Sequence, residues 1–205
     1  MLRFSIFLKD LKSIRKALLL STVLFVAGIV AGWSSEGFEQ FLKSQLQGLG
    51  EISQQLGASD NPEWNFFVFI FLNNSIKSVL VMFSGLLLGV IPFFFLIING
   101  MVIGFLLKVV EASGESLFDL IVKGLLPHGI IEIPVIVIAC GYGLAFGGLV
   151  LRSLGGIFAG SERRSGIGAE WRGFWRKLGT ASLWVVLLLL AAAIIESTIT
   201  LWLMS

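Results

Sequence analysis

Five stretches of this chain run apolar, without alternation, for close to the roughly 20 residues that a helix needs to cross the hydrocarbon core of a bilayer. In lipid every backbone N–H and C=O must find its partner inside the protein, which leaves helices or closed barrels. Continuous rather than alternating hydrophobicity selects helices. Of the 205 residues 56% are hydrophobic and 14% charged, and the mean hydropathy is +0.93. A soluble domain carries about 25% charged residues, so most of this exterior must face lipid. The expected fold is an all-α integral membrane protein, one membrane domain over 1–205, with about five transmembrane helices plus short amphipathic ones.

The expected crossings cover 17–33, 66–90, 93–110, 127–151 and 179–203. Residues 1–16 interleave Arg3, Lys9, Lys12, Arg15 and Lys16 with apolar positions, which predicts an amphipathic helix on an anionic cytoplasmic surface. No small-x-small cleavage site follows cleanly, so the first crossing reads as a retained helix rather than a signal peptide. The segment 34–65 holds Glu36, Glu39, Glu51, Asp60 and Glu63 against the single cation Lys43. Its Phe38, Phe41, Leu42, Leu46, Leu49 and Ile52 recur at helical spacing, so it should contain an amphipathic helix. Pro92 marks a tight turn, 111–126 a short loop with a helical turn around 116–122, and 152–178 a polar loop rich in Arg, Gly and Trp. That loop reads as solvated, with contact to anionic lipid as the lesser alternative.

Counting crossings from a cytoplasmic N-terminus returns the basic 152–178 stretch to the N-terminal side and puts the acidic 34–65 segment outside. The positive-inside rule then gives N-terminus in, C-terminus out, in the cytoplasmic (plasma) membrane. Gly28/Gly32, Gly85/Gly89, Gly100/Gly104 and Gly143/Gly147 put GxxxG faces on four helices. Such faces permit close helix packing within one protomer, with a homodimer contact as the alternative. The one cysteine, Cys140, has no intrachain partner and reads as a small buried hydrophobe.

Charged side chains at mid-membrane cost about 2.5–3.5 kcal/mol on insertion scales, so the few polar groups inside the crossings are the most informative. They are Asn73, Asn74 and Lys77 in the second, Asn99 in the third, His128 and Glu132 in the fourth, and Glu196 in the fifth. Helix lengths place them in one layer of the outer half of the membrane, where inward-facing side chains would form one polar cluster. His128 and Glu132 share a helix face and could hold a cation, even a divalent metal ion, or share a proton. Lys77 could neutralise Glu132 or Glu196. Pro127 suits a first helical turn. Pro134 should break the hydrogen-bond ladder and free the carbonyl of Ile130 beside the His/Glu pair. A purely structural polar network is the competing reading.

The chain holds one histidine, so a zinc site lacks ligands. There is no H-E-x-x-H, Ser/His/Asp set or Walker A string. No enzyme activity, required cofactor or nucleic-acid partner is expected.

The string Leu126-Pro127-His128-Gly129-Ile130-Ile131-Glu132-Ile133-Pro134 resembles the stage II sporulation protein M family. So do Asn73-Asn74, Asn99-Gly100 with Gly104, and Glu196 followed by Thr198 and Thr200. The resemblance spans about 66–203, and the N-terminal part adds little to it. It implies a non-enzymatic membrane scaffold or complex subunit, since the sporulation member gathers enzymes that remodel peptidoglycan. Cell-envelope remodelling proteins are then the implied partners, besides the bilayer. The residue chemistry alone favours the alternative, a transporter or channel for a cation, proton or small solute.

Overall fold

A computed structural model describes residues 3–34, 37–114, 116–119, 121–122, 126–157 and 161–195, with the backbone alone for 126–128, 157 and 161–165. Among the described residues there are eight helices and no strand. α1 (Phe4–Ser13) leads into α2 (Arg15–Ser34), then α3 (Glu39–Gly57), α4 (Pro62–Ser84) and α5 (Val90–Ser113). The single turn α6 (Leu117–Asp119) precedes α7 (Leu126–Ile157) and α8 (Ser161–Ile195). Five of these, α2, α4, α5, α7 and α8, are long and apolar enough to cross a membrane. The expected all-helical bundle is present, with five helices of membrane-crossing length and composition.

Local chemistry sets the boundaries. Pro62 opens α4 after Asn61, whose Oδ1 accepts from the Trp64 N–H at 3.3 Å. The reversal between α4 and α5 occupies residues 85–89 and ends on Gly89, whose φ of +78° suits a residue without Cβ. Pro92 is therefore not the turn itself. It lies in the first turn of α5, where a missing N–H removes no helix bond.

The expected polar loop at 152–178 is a correction. Residues 152–157 continue α7, and 161–178 open α8. The stretch contains no proline, and its Arg, Glu and Lys residues favour helix strongly enough to carry the glycines. The two extensions brace each other, with Trp171 Nε1 donating to Ser153 Oγ at 2.8 Å and Arg152 Nε 3.8 Å from Glu170 Oε2.

Half of the membrane window of α7 is buried within the protein, against 22–33% for the other four, which makes α7 the central helix. Its neighbours reach it through glycine. A Cβ on Gly85 would meet the carbonyl oxygen of Gly143, and one on Gly147 the backbone nitrogen of Gly89. The same relation joins α2 to α5. A Cβ on Gly28 would lie 2.5 Å from the Ile97 carbonyl oxygen, and one on Gly104 would strike that of Ile29. Three of the four expected faces thus lie on helices and meet backbone against backbone inside one chain, whereas Gly85 and Gly89, expected on a helix face, bracket the α4–α5 reversal and meet α7 from there. Two amphipathic helices complete the bundle. α1 buries Phe7 beside Trp184 of α8, and α3 buries Leu42 against Met101 and Phe105 of α5.

Candidate functional site

The glycine contacts hold α4, α5 and α7 close, and the polar side chains of these helices meet in the space that α3 closes from the side. One cavity of about 470 Å³ is lined there by Asn73, Asn74 and Lys77 of α4, Asn99 of α5 and Glu132 of α7. Five of the seven polar residues singled out in the sequence therefore share one cavity. Of the other two, Glu196 and the side chain of His128 lie outside the described residues. Pro127 falls in the first turn of α7.

A directed chain of hydrogen bonds runs through the wall. Asn73 Nδ2 donates to Asn74 Oδ1 at 3.1 Å, and Asn74 Nδ2 donates to Glu132 Oε1 at 2.8 Å. The second bond joins positions 58 residues apart and ties α4 to α7. Asn99 Nδ2 instead donates to the Phe95 carbonyl of its own helix at 2.7 Å. Among the described residues Glu132 takes its hydrogen bond on Oε1, and the residue lines the cavity.

Lys77 does not pair with Glu132, one of the two partners expected for it; the other, Glu196, lies outside the described residues. No ion pair between them occurs among the described residues, and the Lys77 side chain is exposed at the cavity wall. The reason is helical phase. Asn73 and Lys77 are four apart and share one face, whereas Asn74 lies about 100° further round. Asn74 is the residue that faces α7.

Pro134 also acts differently. α7 continues through it, and both Pro134 and Ile130 are exposed, while Gly129, Glu132, Ile133 and Ile136 line the cavity. The carbonyl that proline deprives of a donor therefore belongs to the outer side of α7 rather than to the Glu132 side. No group of three His, Cys, Asp or Glu side chains suited to a metal ion occurs among the described residues. The His128/Glu132 pair falls partly outside them.

Two polar residues of the wall were not singled out from the sequence. Gln45 comes from α3, and Ser78 is a buried serine one residue after Lys77. The signal for Gln45 was its place one turn before Leu49, on the edge of the α3 apolar stripe. It gains meaning only once Leu42 is seen packed against α5.

Five long apolar helices, four of which (α2, α4, α5 and α7) line a polar cavity, define a multi-spanning α-helical membrane protein with an ionisable interior. The family model described as Stage II sporulation protein M matches residues 21–201, and the chain belongs to that family. The match begins within α2, well before the stretch from 66 on which the sequence resemblance rested. No curated protein and no solved structure matches the chain.

Proposed function

We propose that the cavity is the working part of the protein, a membrane-embedded binding site and path for a small polar solute or a proton. The observation that carries this reading is Glu132, held by Asn74 through Oε1 in the wall of a cavity of about 470 Å³. A polar network that served only to lock helices together would fill its own volume. Here the carboxylate, an ammonium and the amides of Asn73, Asn99 and Gln45 surround open space.

The wall chemistry narrows the ligand. A bare divalent ion of the calcium kind wants about six to eight oxygen ligands, several of them carboxylates. One carboxylate beside Lys77 supplies much less. Opposite charges and amides suit a solute that carries both donors and acceptors, or a proton relayed through Glu132.

The test is flux in proteoliposomes, read with an internal pH dye for protons and by light scattering for glycine and glycerol. Wild type should exceed empty liposomes, and Glu132→Gln should lower the flux at least about tenfold, the effect of 1.4 kcal/mol on a barrier. A second reading, a scaffold or complex subunit in the plasma membrane, is supported by the family description and by the exposed Phe41 and Leu49 of α3. Folded protein without flux above empty liposomes would leave that reading standing.

A further inference from the structure

A second cavity lies towards the other end of α7. From Glu132 to Arg152 is 20 residues, about 30 Å at 1.5 Å per residue. This cavity measures about 550 Å³ and is an open cleft bounded by the α1–α2 junction, the C-terminal half of α7 and residues 170–177 of α8. Its polar lining is one-sided, with Arg15, Lys16, Arg152 and Lys177 against the lone carboxylate of Glu170. The rest of the wall is largely apolar, with Ile14, Leu144, Leu149 and Phe174.

We propose that this cavity binds the phosphate headgroup of an anionic phospholipid, with an acyl chain laid along the apolar wall. Charge is the first argument. Four cations face one acid, and Arg152 approaches that acid only to 3.8 Å through exposed side chains, so most of the positive charge is unmatched there. Depth is the second. Arg15 opens the α2 membrane window and Arg152 lies near the end of the α7 window, while Lys177 directly precedes the apolar run of α8. The cations therefore stand at the level where lipid phosphates lie. Shape is the third. Lys177 Nζ donates to Ser13 Oγ at 2.9 Å, which fastens the α1–α2 junction to α8 and closes one side of the cavity. A free phosphate would answer the cations but leave the apolar wall in water; a phospholipid answers both. Basic pockets between membrane helices bind anionic headgroups by this combination.

The experiment is native mass spectrometry of the delipidated full chain, titrated with dioleoyl phosphatidylglycerol or dioleoyl phosphatidylcholine. Phosphatidylglycerol should bind at least about tenfold more tightly, and Arg15→Gln/Arg152→Gln should remove most of that difference, as expected for two cations near an anionic headgroup. Lys43→Gln, on α3 and remote from the cavity, should leave it unchanged. Equal binding of the two lipids, or an undiminished preference in the double variant, would overturn the proposal. Displacement of phosphatidylglycerol by inorganic phosphate at matched concentration would also overturn it, by making the site one for a soluble anion. Should the double variant misfold, Glu170→Gln decides the matter. Removing the one carboxylate must tighten phosphatidylglycerol binding, and unchanged affinity refutes the site.

Discussion

At Glu132 one hydrogen bond separates a structural role from a functional one. Its Oε1 accepts from Asn74 at 2.8 Å, and a glutamine there keeps an acceptor oxygen in the same place. Glu132→Gln should therefore change stability by no more than about 0.6 kcal/mol, the mean worth of such bonds between membrane helices, while it lowers flux at least about tenfold. Asn74→Ala should do the reverse in part. It strips the carboxylate of its donor and should destabilise by about 1–3 kcal/mol, the cost of a buried group left unsatisfied. Unfolding in mixed detergent micelles reads both variants. Equal destabilisation by the two would mean that the charge of Glu132, not the bond, holds α4 to α7, and the functional argument would lose its footing. The sequence showed these residues at a common depth but not which of them touch. Depth follows from counting along each apolar run. Contact follows from rotation about each helix, and the sequence offered Lys77 as a partner for Glu132 where the structure gives Asn74.

At the scale of the element, backbone contact between helices is the main packing device, and it depends on glycine. A Cβ on Gly104 would strike the Ile29 carbonyl oxygen, and neither backbone can retreat without parting α2 from α5. Gly104→Ala should destabilise by about 1–3 kcal/mol, the usual cost of overpacking. Gly166→Ala, in the exposed opening of α8 with nothing within 4 Å of the new Cβ, should be neutral or stabilising by up to about 1 kcal/mol. Thermal unfolding in detergent separates the two, and a stable Gly104→Ala protein would refute the close approach. The crossings themselves were legible because an apolar run is a length measured against a fixed membrane. The helical course of 161–178 was not, since its arginines and glycines read as a solvated loop by composition. Composition reports solvent contact and says little about whether the backbone stays wound. The seat of α3 was missed for a related reason. Its Leu42, Leu46 and Leu49 stripe fits a lipid surface and the flank of α5 equally well, and only the structure puts Leu42 against Met101 and Phe105.

Taken whole, the chain concentrates most of its cations in 1–16 and 152–177, and this gives a testable orientation. The bond from Lys177 to Ser13 places the N-terminal helix and the basic opening of α8 at the same end of the bundle. Four membrane-length helices, α2, α4, α5 and α7, lie between those two residues, so an even number of crossings returns the chain to its starting side. By the positive-inside rule the arginines and lysines of α1 and α8 predict that this side is the cytoplasmic one and that the α3–α4 turn around Asp60 faces out. Single cysteines at Lys12, Asp60 and Arg172 can be probed with a membrane-impermeant maleimide, because native Cys140 is fully buried and adds no background. In intact cells Asp60→Cys should label, while Lys12→Cys and Arg172→Cys should label only after permeabilisation. The reverse pattern would invert the protein and place the basic cavity in the outer leaflet. Labelling of Lys12→Cys and Arg172→Cys from opposite sides would break the even count, and with it the junction of α1, α7 and α8 on which the lipid site depends.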